Sequence, residues 1–130
     1  MFLATSNKAR RFLLTNYVGT VTVAELEQAW PELKTLVEEF PAGFQVLADM
    51  SQLESMEVAC MEMIGKTMEL MEQHGVELVV RVIPDPAKDI GLNIIGIFHY
   101  KNVPRIVTCA TMTEAVAVFS AEWAAREPAV

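Results

Sequence analysis

The chain has 130 residues, 52% hydrophobic and 21% charged, a composition that folds rather than staying disordered and that fits one domain spanning residues 1–130. Its net charge of −7 argues against a nucleic acid or an anionic membrane surface as partner. Lys8, Arg10 and Arg11 are too few and too local to track a phosphate backbone. Cys60 and Cys109 stand alone without a CxxC, and His74 and His99 are the only histidines, so the donor spacing of a zinc site is missing and no metal or other cofactor is expected.

The opening MFLATSNKARR lacks the basic-then-apolar order of a signal peptide. Phe2 to Thr5 reads as a short strand. Arg11 to Val18, rich in β-branched and aromatic residues and closed by Gly19, reads as the first main strand. Thr22 followed by Glu25 is a capping box. Leu26, Ala29, Trp30, Leu33, Leu36, Val37 and Phe40 then recur at helical spacing, and Pro31 inside that stripe predicts a kink. Phe44 to Ala48 is a short buried strand ending at Asp49, and Met50 to Glu54 reads as a loop. Ser55 is the expected N-cap of a long second helix, with Glu57 in its first turn and Gly75 just past its end.

Val76 to Ile83 is the clearest strand. Asp85 and Pro86 then open a third helix as N-cap and first residue, with Ile90, Ile94, Ile97 and Phe98 as its apolar positions. The apolar run from Ile90 to Tyr100 is far too short to span a bilayer, so a cytoplasmic location is expected. Arg105 to Cys109 is a last strand, and Thr111 with Glu114 forms a second capping box ahead of a helix to about Arg126. Strands alternating with helices imply a mostly parallel sheet with crossover helices. GLNIIG lies inside a helix and is no dinucleotide fingerprint.

Several motifs, in this order, carry a family resemblance. Tyr17-Val18-Gly19-Thr20-Val21-Thr22 gives a strand, a glycine and a helix-opening threonine. Val46-Leu47-Ala48-Asp49 gives a strand ending in aspartate, and Ile106 to Ala115 gives a strand running into a Thr-x-x-Glu-Ala helix start. Over roughly Phe12 to Phe119 the chain resembles the STAS domain of anti-sigma-factor antagonists. The resemblance implies a mixed, mostly parallel sheet of four or five strands, with about four helices mainly on one face. Pro31 in the first helix also resembles a divergent STAS-like branch associated with lipids or other apolar ligands, although the second half of the chain does not.

The departure from the family lies at its phosphorylation motif. By spacing from Asp49, the Asp-Ser-Ser-Gly position is held by Glu57-Val58-Ala59-Cys60. The acid is kept, but Val58 has no hydroxyl for a kinase to modify. A register that places Ser55 at the acceptor requires a loop three residues shorter. The resemblance implies that the loop after the Asp-ended strand and the start of the second helix meet a protein partner. Here that surface is Ser51, Glu54, Ser55, Glu57 and Val58.

Catalysis has little to stand on. Glu54, Glu57 and Glu62 near a helix start complement the dipole and need a cleft before they suggest acid–base work. Cys60 falls where a helix favours a thiolate, but Ala59, Met63 and Ile64 mark a packing position. His74 lies too far along the same helix to serve Cys60, which leaves His99 as the only candidate base. Met61, Ile64, Met68 and Met71 form one face that reads as core, with Met56 and Met63 at its edge.

The expectation is a non-catalytic interaction or regulatory domain with a protein partner, a second copy of the chain among the candidates. The alternative is a carrier or sensor of a small apolar ligand. Its pocket, between the first and third helices, would be lined by Trp30, Leu33, Ile94 and Phe98. A thiol enzyme is a third and weaker reading.

Overall fold

The computed structural model describes residues 1–126, with side chains at every position except 86, 88, 89, 97 and 98. The chain opens with an antiparallel hairpin of β1 (Phe2–Asn7) and β2 (Phe12–Val21), in register from Phe2 opposite Tyr17 to Asn7 opposite Phe12. Then follow α1 (Val23–Glu38), β3 (Gln45–Met56), α2 (Cys60–Gln73), β4 (Leu78–Val82), α3 (Pro86–His99), β5 (Arg105–Cys109) and α4 (Met112–Arg126). The five strands lie in sequence order, and every pairing after the hairpin is parallel. The expected α/β class, mixed sheet and four helices are all present.

That strand order decides which face the helices take. Crossovers between parallel strands are right-handed. Three successive crossovers stepping the same way across a sheet therefore put α1, α2 and α3 on one face. There Leu13, Tyr17, Val46 and Ala48 meet Leu26 and Leu33 of α1, Ile64 and Met68 of α2, and Leu92 of α3. α4 follows the last strand and crosses to no other, so it folds back over the opposite face. Its Ala115 and Phe119 close on Leu47, Leu78, Val80 and Val82. β4 is buried at all five residues because both its faces are covered, hence its nearly unbroken apolar run.

α1 runs on through Pro31 as one helix, as the in-phase apolar stripe predicts. The Thr35 hydroxyl donates to Pro31 O at 3.0 Å within that turn. Several local expectations are corrected. β1 reaches Asn7 and β2 runs on through Gly19 to Val21. The stretch from Met50 to Glu54 is strand, not loop, because β2 outlasts β4. Residues 45–49 of β3 pair on both sides, and its outer end pairs with β2 alone. Two bulges absorb the extra β3 residues, one between Asn16 and Val18 of β2 and one between Gly19 and Thr20. At the first, Asp49 Oδ1 accepts from the Ser51 amide and hydroxyl at 3.0 and 2.7 Å, a local contact whose sequence imitates a turn.

Ser55 consequently sits in β3 and caps nothing. Its hydroxyl meets that of Thr20 at 3.0 Å. The caps of α1 and α3 form as expected, on Thr22 with Glu25 and on Asp85. At α4 the Thr111 hydroxyl accepts from the Glu114 amide at 3.2 Å. The returning Glu114 carboxylate takes the Ala110 amide at 2.9 Å, one residue earlier than a strict box. Gly75 closes α2 at φ +81°, in the left-handed conformation that suits glycine.

Candidate functional site

The outer end of β3 and the turn into α2 form one continuous surface beyond the last residue of β4. Ser51, Glu54, Ser55, Glu57 and Val58 are all exposed along it. Val58 is 86% exposed, the most exposed large apolar side chain among the described residues. The turn is built from Cys60 N donating to Glu57 O at 2.9 Å and Met61 N to Val58 O at 3.1 Å. No side chain caps α2. Glu57, expected to serve the first turn of α2, reaches across instead. Its Oε1 accepts the Val23 amide at 2.9 Å, adding a carboxylate to the start of α1.

Cys60 opens α2 but is turned inward. It is fully buried, with its Sγ 3.7 Å from Val21 O. Burial pushes its thiol up and the Glu57 charge adds to this, so the helix start does not yield a thiolate. His99 takes other partners. Its Nδ1 lies 2.7 Å from Glu69 Oε1, and its ring covers Gly65 so closely that a Cβ there would fall 2.3 Å from Nε2. Cys109, the other thiol, is also buried and pushed up. Among the described residues no three His, Cys, Asp or Glu gather closely enough to hold a metal ion. No helix of the described residues is long and apolar enough to cross a membrane.

Behind the exposed surface lies an apolar hollow of about 250 Å³, open on one side and lined by Met50, Leu53, Ser55, Met56, Met61, Gly91 and Leu92. The side chains expected to line a pocket lie elsewhere. Leu33 is core and Trp30 packs against it, whereas Ile94 is 51% exposed on α3. The Phe98 side chain lies outside the described residues. Of the methionine stripe, Met63, Met68 and Met71 are buried, while Met61 and Met56 turn to the hollow. The β-bulges, invisible in the apolar periodicity, place Leu53 and Met56 there.

Sequence reasoning also missed a buried cation. Arg81, on the inner face of β4, donates from Nη1 to Asn93 Oδ1 of α3 at 2.8 Å. Around it stand Tyr17 and Tyr100, both pushed up to about 12, chiefly by burial and against the lowering charge of Arg81. An arginine inside an otherwise apolar strand is the one signal that pointed to this contact.

The architecture is the STAS-like α/β fold: a mixed five-stranded sheet in sequence order, three crossover helices on one face and a last helix on the other. Solved structures with this fold cover nearly the whole chain. The anti-sigma factor antagonist SpoIIAA in its unphosphorylated form superposes with a TM-score of 0.66 at 15% identity, over 92% of this chain and 98% of its own. The Bacillus cell fate determinant SpoIIAA in its phosphorylated form gives 0.64 at 16%, over 92% and 99%. An uncharacterized DUF3478-family protein with a SpoIIAA-like fold from Shewanella loihica PV-4 gives 0.66 at 13%, over 91% of each chain. No sequence-family profile and no curated protein matches the chain.

Proposed function

We propose that this chain is a non-catalytic, regulatory protein-interaction domain that binds its partner through Ser51, Glu54, Ser55, Glu57 and Val58. The observation that carries this reading is the uncapped start of α2, with Val58 standing 86% exposed among carboxylates. A single exposed apolar side chain is ordinary by itself; it is the open, uncapped helix start beside it that suits a contact. The fold likeness to SpoIIAA, known in phosphorylated and unphosphorylated forms, supports the class. Without a hydroxyl at position 58, phosphorylation at that residue is closed to this chain, and binding is constitutive or controlled elsewhere. The carboxylates favour a partner with a basic patch and an association rate that falls as salt rises.

The test is photo-crosslinking from position 54 or 58 in native lysate, with position 34 of α1 as control, alongside pull-downs of wild type and Val58→Asp. A partner crosslinked from 54 and 58 but not 34, and lost with Val58→Asp, is the expected result. The same partners in equal amounts with both proteins would remove this surface from consideration.

A second reading rests on the hollow. Three methionines and two leucines around about 250 Å³ give an adaptable apolar wall for a small ligand. Native mass spectrometry of the purified protein, wild type against Leu92→Lys, separates the two readings. A bound mass lost with Leu92→Lys supports the ligand, and a bare chain in both counts against it.

A further inference from the structure

At the opposite end of the sheet lies a groove that the proposed function does not use. β2 leads from it to the start of α2 in ten residues, about 30 Å at strand rise. The groove has a volume of about 570 Å³ and is lined by Ala9, Arg10, Arg11, Gly43, Glu77, Trp123 and Arg126. Three of the chain's ten lysines and arginines therefore meet here, on a molecule of net charge −7. Arg126 is held by Glu77. Arg10 and Arg11 have no ion-pair partner among the described residues. The Arg10 guanidinium lies over the Trp123 ring at 5.0 Å, a cation–π contact that leaves its N–H groups without a carboxylate.

Two further observations set this groove apart from an ordinary solvated surface. Arg11 closes the β1–β2 turn at φ 51°, the only non-glycine residue with positive φ among those described. Glycine or asparagine takes that conformation with less strain, so arginine there carries a backbone cost. Its carbonyl is fixed by the Gln45 amide at 2.8 Å, so the strained residue is anchored to β3. Gln45 is itself completely buried. Its Oε1 accepts from Trp123 Nε1 at 3.1 Å, and its Nε2 has no partner among the described residues. The residue that anchors both the Arg11 carbonyl and the Trp123 indole is thus buried and polar, with one side-chain donor unpartnered among the described residues.

We propose that the groove binds a compact oxyanion carrying two negative charges, a phosphate or a small dicarboxylate, between the guanidinia of Arg10 and Arg11. Two cations without carboxylate partners match two charges, and guanidinium N–H groups pair well with paired oxygens. The Arg126–Glu77 pair closes one side of the groove and leaves the other two arginines to set the affinity.

The experiment titrates the full chain with inorganic phosphate and, separately, with succinate, following the Trp123 indole N–H and the arginine Nε–H resonances. Acetate and chloride at matched ionic strength are the controls. The expected result is saturable binding of one or both dianions, at least tenfold tighter than acetate, with the shifts confined to Arg10, Arg11 and the Trp123 indole. Phosphate alone, or succinate alone, identifies which source of the oxyanion the site takes. Arg11→Gly and Arg11→Asn suit the left-handed position, so they fold with a Tm within a few degrees of wild type and lose at least tenfold in affinity. Retained affinity in both variants, equal shifts with chloride, or shifts centred on Arg81 or Arg105 would each overturn the proposal.

Discussion

The two helix starts that meet at the far end of the sheet are finished very differently. α1 begins with a complete capping box, the Thr22 hydroxyl and Glu25 carboxylate each taking the other's amide at 3.3 and 3.1 Å. It also takes Glu57 from the neighbouring turn onto Val23. α2 begins on Ala59 and Cys60 with no capping side chain, and the carboxylate beside it points away. The first two amides of α2 are taken by the carbonyls of the turn, Glu57 O and Val58 O, and no side chain is spent on it. The contrast teaches that local stabilisation is concentrated at α1. The start of α2 is held from below, by buried Cys60 and by the packing of its middle against α3, and its upper surface is left open.

The strongest challenge to that contrast is Gly65→Ala, which attacks the middle of α2. A Cβ 2.3 Å from His99 Nε2 forces the imidazole or α3 to move, at a cost of about 1–3 kcal/mol. Urea unfolding reads the loss, and an unchanged midpoint would show that α2 is not locked through this contact. Thr22→Ala removes the hydroxyl half of the box and costs about 1 kcal/mol. Hydrogen exchange should then quicken at Glu25 while the first amides of α2 keep their protection.

Glu57→Ala is smaller, about 0.5 kcal/mol, because the carboxylate is exposed and complements a helix start through a single bond. It also sharpens the comparison most. Faster exchange at Val23 is expected, whereas faster exchange at Met61 to Met63 would mean that Glu57 serves its own helix as the sequence suggested. Val58→Asp has the least effect on the fold, a gain of a few tenths of a kcal/mol from an anion at a helix start. Thermal melts measure it. A clear loss of Tm would mean that Val58 packs against something and is not a free surface.

Much of this was legible in the chain itself. Thr22 with Glu25, Asp85 with Pro86, and Gly75 act through neighbours one to three residues away. Their geometry is local, so the sequence specified them. The apolar run from Val76 to Ile83 declared a strand, and the alternation of elements declared a parallel sheet. Ser55 and Glu57 were legible only as a capping pattern, and that pattern was overruled. β2 continues past β4 and offers backbone partners to residues 52–56, so the hydrogen bonds of a second ladder outweighed a local cap. The placing of Trp30, Leu33 and Ile94 apart from the hollow has a related reason. Trp30 and Leu33 lie on the helix face that the crossover turns onto the sheet, and the hollow opened where two β-bulges re-aimed Leu53 and Met56. Nor does spacing reveal that Arg10, Arg11, Gln45, Trp123 and Arg126 meet, since they come from a turn, a strand start and the last helix. Local chemistry fixed the elements and their ends. Strand length, strand order and the face taken by each helix decided the surfaces, because those depend on partners far away in the chain.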